Sequence, residues 1–308
     1  MTLDPQIAGL IDTLDSGFPP VHTMTGAEAR AAIRSRFVPN PDPEPVFRVA
    51  EHRVDVVGGS VGVRVYQHAS GSPLPILVYA HGGGFVFCDL DSHDGLCRSF
   101  ANIIPAVVIS VDYRLAPEHR WPTAAEDVFA VTQWAAAHAA ELGGDATRLA
   151  VGGDSAGGNL AAVTAVMARD RGGPAIGAQL LLYPVIAADF DTESYRLYGR
   201  GFYNPRPALQ WYWDQYVPAV EDRQHRYASP LQADPTGLPP AVVVVAGHDP
   251  LRDEGTAYAD ALTAAGVPTT RCSYEGGIHG FMTMPMLDIA HQSRREAGRA
   301  LAELLDHG

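Results

Sequence analysis

Leu149-Ala150-Val151-Gly152-Gly153-Asp154-Ser155-Ala156-Gly157 carries the reading of this chain. The first five residues form a short apolar run of the buried-strand kind. An alanine-rich segment, helical to about Asp170, follows the serine. A Gly-x-Ser-x-Gly pattern alone is a weak signal, so its surroundings must decide. Here the surroundings are a strand before and a helix after, which make a sharp turn that lifts a serine hydroxyl clear of the backbone. Side chains at the glycine positions would collide in so tight a turn. The start of the helix also favours negative charge developing beside Ser155. Ser155 is the candidate nucleophile.

Three further motifs follow strand-like runs in the same way. His81-Gly82-Gly83-Gly84-Phe85 comes after Pro75–Ala80. Three glycines leave bare backbone N–H groups beside a ligand. No Gly-Lys-Ser or Gly-Lys-Thr follows, so the loop is not a nucleotide-binding P-loop. Asp249 comes just after the run Ala241–Ala246, where a carboxylate can orient an imidazole. Asp253 and Glu254 are rival acids, expected instead in the first turn of the next helix, where acidic residues suit the helix dipole. His279 lies in Gly276-Gly277-Ile278-His279-Gly280-Phe281, on a glycine-rich loop just after the last strand, Thr269–Tyr274. It is the histidine with the order and setting of a base. His81 reads as a hydrogen-bonding scaffold residue rather than a base.

Composition narrows the alternatives. The 308 residues allow one large domain or two. The net charge of −13 would repel a phosphate backbone, and no nucleic-acid partner is expected. The 22 basic residues are all arginine, so lysine-dependent Schiff-base and Ser-Lys mechanisms are excluded. Cys88, Cys97 and Cys272 match no zinc or redox spacing. They read as free thiols of a reducing cytosol, and a cytoplasmic location is expected. Met1 to Leu14 has acidic residues and no basic run, unlike a secretory signal. No apolar run approaches the ~18 residues of a membrane span.

Along the chain, residues 3–36 read as polar-amphipathic helix, with Ile7, Leu10, Ile11 and Leu14 on one face and a second helix over Ala27–Phe37. Three prolines in Asn40–Pro45 break it. A hairpin follows, with Val61, Val63 and Val65 alternating and Gly58-Gly59 as the turn. Pro75–Ala80, Ala106–Val111, Leu149–Gly153, Gln179–Val185, Ala241–Ala246 and Thr269–Tyr274 read as strands. Helices are expected from Pro122 to about Leu142, after Ser155, around Tyr258–Ala265, and over Leu287–Leu305. Such alternation predicts an α/β protein with a mostly parallel sheet covered on both faces. Residues 187–227 depart from it and are rich in aromatics, so they read as a helical insertion above the sheet. Those aromatics could line a pocket or form the insertion's own small core.

The order Ser…Asp…His is that of α/β-hydrolases. The motifs together, with Asp112-Tyr113-Arg114-Leu115-Ala116-Pro117-Glu118-His119 and Asp249–Gly255, resemble the bacterial branch of the hormone-sensitive-lipase-like esterases, over roughly residues 45–305. The resemblance implies an α/β-hydrolase fold with a helical cap and carboxylesterase activity on short-to-medium acyl esters. It implies Ser155 as nucleophile, Asp249 as acid and His279 as base, with oxyanion-hole N–H groups from Gly83, Gly84 and Ala156. The cap would combine residues 1–40 and 187–227, and the catalytic domain residues 41–186 and 228–308. Asp112–His119 reads as a structural turn in which Arg114 and Glu118 pair with neighbours. The chemistry calls for no metal or cofactor. The expected partner is a small-molecule ester, with a homodimer left open.

Overall fold

A computed structural model describes residues 2–307. The chain opens with two helices, α1 (Pro5–Gly17) and α2 (Gly26–Arg34). Asp4 caps α1 by accepting from the Gln6 and Ile7 amides. Thr25 and Glu28 cap α2 reciprocally, each side chain accepting from the other's backbone N–H. The expected second helix thus ends three residues early, at Arg34. Arg30 ties α2 to the body of the protein through Val86 O (3.0 Å), Ala116 O (2.9 Å) and Glu118.

Among the described residues, eight strands form one sheet. They are β1 (Arg48–Val56), β2 (Gly59–Gln67), β3 (Leu74–Ala80), β4 (Val107–Asp112), β5 (Gly144–Asp154), β6 (Ala178–Leu182), β7 (Ala241–His248) and β8 (Thr269–Ile278). The spatial order is β1-β2-β4-β3-β5-β6-β7-β8. The β1–β2 hairpin and the β2–β4 pair are antiparallel, and every later pairing is parallel. Parallel strands must be joined by crossovers, which cover the sheet and bury both its faces. That is why β3 and β7 read as near-continuous apolar runs, and β6 as one broken only by the buried Gln179. Along β3, Ile76, Val78 and Ala80 join one core, and Leu77 and Tyr79 the other.

The first core is closed by α4 (Thr123–Ala137), α5 (Ala156–Arg171) and α8 (Arg252–Ala264), through Val128, Leu160 and Leu262. The second is closed by α3 (Asp94–Ile103) and α9 (Asp288–His307), through Phe100 and Leu301. The sequence reading has no α3. It also runs α4 on to Leu142 and starts it at Pro122. Instead Pro122 precedes the first turn, and residues 138–143 coil into turns in which the Leu142 N–H meets both His138 O and Ala139 O.

Between β6 and β7 the chain leaves the sheet to form α6 (Glu193–Tyr198) and α7 (Arg206–Tyr216). With α1 and α2 they make a helical cap. The Tyr203 N–H donates to Asp15 at 3.0 Å, and Phe18 meets the Tyr203 ring edge-on at 5.2 Å. Both halves of the chain therefore share the roof. The aromatics of the insertion divide. Trp213 and Tyr216 are buried in the core, with Tyr216 stacked on Phe85 at 3.9 Å. Tyr203 and Tyr212 face a cavity.

Candidate active site

Ser155 occupies the turn between β5 and α5 at φ 54° and ψ −117°. A non-glycine residue in that region costs roughly 1–3 kcal/mol, so its surroundings must hold it there. The Ser155 N–H donates to Leu182 O at 2.9 Å, and Ser155 O accepts from Asn159 N at 3.1 Å and Val185 N at 3.0 Å. The turn also brings α5 hard against β3. A Cβ on Gly157 would lie 2.0 Å from Ala80 O, so only glycine fits. The result is a hydroxyl presented at the C-terminal edge of the parallel strands.

The loops after β7 and β8 complete a hydrogen-bonded chain. His279 Nε2 lies 2.9 Å from Ser155 Oγ. His279 Nδ1 lies 2.8 Å from Asp249 Oδ2. Asp249 is buried, and its other oxygen accepts from the Leu251 N–H at 2.8 Å. The rival carboxylates face elsewhere. Asp253 accepts from the Ser194 N–H at 2.8 Å, and Glu254 from the Ile186 N–H at 2.7 Å. Burial, and then the nearby Asp249 charge, push the Glu254 carboxyl well above the ordinary range, although the two backbone amides it accepts from oppose the rise. The Tyr183 ring meets His279 edge-on at 5.1 Å and limits its rotation.

The glycine loop after β3 faces the same cavity. Gly83 sits at φ 119°, and a Cβ there would lie 2.1 Å from Phe87 O. Gly83 O accepts from the Val86 and Phe87 amides, which pins the loop in a tight turn. Ala156 is the first residue of α5, so its N–H has no intrahelical acceptor. Gly83 and Gly84 line the cavity with Ser155 and His279, under Phe18, Phe87, Tyr203 and Tyr212. Its volume is about 110 Å³. A second cavity of about 380 Å³ lies beside it, between α2 and residues 88–92, and shares Cys88. That cavity holds none of the predicted site residues.

His81 is buried with Nδ1 2.7 Å from Gly82 O, and its ring stacks on Tyr113 at 4.3 Å. Burial, then the nearby His93, lower its pKa to about 4, so the ring is a neutral scaffold at ordinary pH. In the Asp112–His119 turn, Arg114 pairs with Asp127 at 2.6 Å and Glu118 with Arg30. Asp154 and His93 also reach the site, and the sequence reading passes over both. Asp154 fills the variable position of the serine motif, and only its contacts across the fold give it meaning.

This fold and this chain of hydrogen bonds are those of a serine-type α/β-hydrolase. Comparison with known proteins agrees. A family model described as the alpha/beta hydrolase fold matches residues 77–283. Carboxylesterase NlhH of Mycobacterium tuberculosis is 40% identical over 310 residues, across 98% of this chain and 95% of that protein. A hyperthermophilic esterase from the archaeon Pyrobaculum calidifontis superposes with a TM-score of 0.92 at 37% identity, over 99% of both chains. A thermostable esterase from Pseudomonas putida gives 0.93 at 36%, over 99% of this chain and 98% of that one. The chain belongs to this α/β-hydrolase esterase family, which is related to the hormone-sensitive-lipase-like carboxylesterases. It is a serine-hydrolase-type enzyme acting on esters. Among the described residues no helix is long and apolar enough to cross a membrane.

Proposed function

We propose that this protein is a carboxylesterase of the bacterial hormone-sensitive-lipase-like branch, cleaving esters of short to medium acyl chain through Ser155, His279 and Asp249. The observation that carries the reading is the pair of contacts at His279, 2.9 Å to Ser155 Oγ and 2.8 Å to Asp249 Oδ2. Ser155 Oγ attacks the ester carbonyl carbon while His279 Nε2 takes its proton. Asp249 holds the imidazole with Nδ1 protonated and stabilises the imidazolium. The N–H groups of Gly83, Gly84 and Ala156 receive the oxyanion. His279 then passes the proton to the leaving alcohol. Water then attacks the acyl carbon as His279 takes its proton, and His279 returns that proton to Ser155 Oγ as the acid leaves. An alcohol leaves more readily than an amine, which favours esters over amides.

Residues 1–40 and 187–227 act as the cap, over a catalytic domain of residues 41–186 and 228–308. The cavity at Ser155, about 110 Å³, supports a small acyl group. It is well below the roughly 300–1,000 Å³ of pockets that bury drug-sized ligands. Cys88, Cys97 and Cys272 are free, in keeping with a reducing cytoplasm.

The test is Ser155→Ala assayed on p-nitrophenyl esters of increasing acyl length. Loss of a triad member costs on the order of 10⁴–10⁶ in kcat. A purified, folded variant within tenfold of wild type would remove Ser155 as nucleophile. A profile that peaks at long acyl chains would replace the esterase reading with a lipase.

A further inference from the structure

Asp154 is a buried carboxylate next to the nucleophile, and the mechanism above does not use it. Its Oδ1 accepts from the Tyr79 hydroxyl at 2.8 Å and from the Gly82 N–H at 2.9 Å. His93 Nε2 lies 3.1 Å from Oδ1 and 3.3 Å from Oδ2. His93 Nδ1 in turn lies 3.0 Å from Ser92 Oγ. The contacts join three separate elements: β3, the glycine loop with the start of α3, and the end of β5. The space is closed tightly, since a Cβ on Gly82 would lie 2.3 Å from Asp154 Oδ2.

We infer that Asp154 is a positioning residue for the oxyanion hole. Its Oδ1 holds the Gly82 peptide so that the next two amides, of Gly83 and Gly84, face the carbonyl attacked by Ser155. The inference rests on the triad and oxyanion-hole reading above. The physical reason is geometric. Gly82, Gly83 and Gly84 lack side chains that could fix their peptides by packing, so the loop needs an external acceptor to hold its orientation. A donor that must stay aimed at a developing charge contributes only if it does not reorganise during the reaction. Asp154 is the last residue of β5 and precedes Ser155, so one rigid strand end sets both the nucleophile and the clamp on the loop. Burial alone would raise the Asp154 carboxyl. The His93 charge and the hydrogen bonds from His93 and Tyr79 outweigh it and hold the group below its ordinary value, so it stays an acceptor.

The hydrogen-bond pattern makes a specific demand. Both Tyr79 and Gly82 use Oδ1. Asn at 154 keeps that oxygen and turns its NH₂ toward His93, which can accept through a neutral tautomer. Ala keeps neither bond. Asp154→Ala should therefore lower kcat by about 10–10²-fold with KM nearly unchanged, approaching the cost of losing one oxyanion donor. A trifluoromethyl ketone, whose adduct on Ser155 places an oxyanion in the hole, should lose affinity by the same factor as kcat/KM. Asp154→Asn should recover most of both losses. Gly82→Ala, which drives a methyl into the carboxylate, should repeat the Ala signature.

Thermal unfolding is measured on each variant, and Ser155→Ala is run beside them. An active Ser155→Ala would remove the triad reading itself. An inactive Ser155→Ala with a folded Asp154→Ala whose kcat and ketone affinity stay within twofold of wild type would overturn the inference alone. If Asp154→Ala does not fold, Asp154→Asn decides. A folded Asn variant as impaired as Gly82→Ala in kcat and ketone affinity would show that the charge matters and the Oδ1 clamp does not.

Discussion

At Ser155 the backbone stores strain and three hydrogen bonds hold it, so the hydroxyl is aimed before substrate arrives. Its partner His279 is held from the far side by Asp249, the carboxylate at Nδ1. Asp249→Asn should lower kcat by about 10⁴, because the amide favours the wrong tautomer and leaves the imidazolium unpaired. Asp253→Asn should stay within about tenfold, since Asp253 serves the Ser194 N–H and never meets the imidazole. Steady-state kinetics on one ester settle the order, and a worse Asp253 variant would unseat Asp249. His81, whose pKa burial holds near 4, should contribute no step to the kcat/KM profile across roughly pH 5–8. A His81→Asn variant that shifts the pH midpoint, rather than the amplitude, would contradict this. That the fold would bring Ser155, Asp249 and His279 together was legible in the sequence, because each follows a strand-like run and the order of types is distinctive. Asp154 was not, since its meaning lies in contacts with Tyr79 and His93, 75 and 61 residues away in the chain.

Among the elements, α8 shows how the fold handles a carboxylate it cannot leave in water. Glu254 in its first turn is buried, and Oε1 accepts from the Ile186 N–H at the start of the cap insertion. Burial raises this group above its ordinary 4.5. The folded protein then binds a proton that the unfolded chain has released. Stability falls as pH rises from about the unfolded value through the raised one. Glu254→Gln keeps the Oε1 acceptor and removes the titration. Its Tm should match wild type to within about 2 °C near pH 4 and exceed it by a few degrees, ~2–4 °C, at pH 8. A pH-independent difference would mean that Glu254 does not titrate in this range. The same element-level view explains what sequence patterns capture. Strands buried on both faces read as apolar runs, so β3 to β7 are visible. The periodicity of α3 is present in the sequence, with Leu96, Cys97, Phe100 and Ala101 at helical spacing, but the helix spans only ten residues and its start is unmarked, since His93 makes no side-chain cap. The last strand runs on through Glu275-Gly276-Gly277, because pairing with β7 and not residue type carries it to Ile278.

For the molecule as a whole, the proposed division of labour between sheet and cap separates changes expected to alter chemistry from those expected to alter substrate choice. Ser155, Asp249, His279 and the glycine loop follow strand ends, whereas Phe18, Tyr203 and Tyr212 line the small cavity from the other side. Two parts of the chain far apart in sequence meet there, through Phe18 against Tyr203 and Asp15 on the Tyr203 N–H. Phe18 sits between α1 and α2 and is only partly buried, so trimming it should cost little stability. Phe18→Ala should enlarge the cavity and move the optimum of an acyl-chain series toward longer esters. The rate of Ser155 labelling by a small phosphonate should change less than threefold. Removing residues 2–36 should have the same direction and a larger size. It would also uncover the apolar surface that Ile7, Val21 and Ala29 cover, since all three are buried in the intact protein, and so lower solubility. Labelling and the ester series are measured on both proteins once each is known to be folded. An unchanged chain-length optimum in the folded point variant would mean that Phe18 does not border the acyl group. Loss of phosphonate labelling in it would mean that the cap reaches into the chemistry itself.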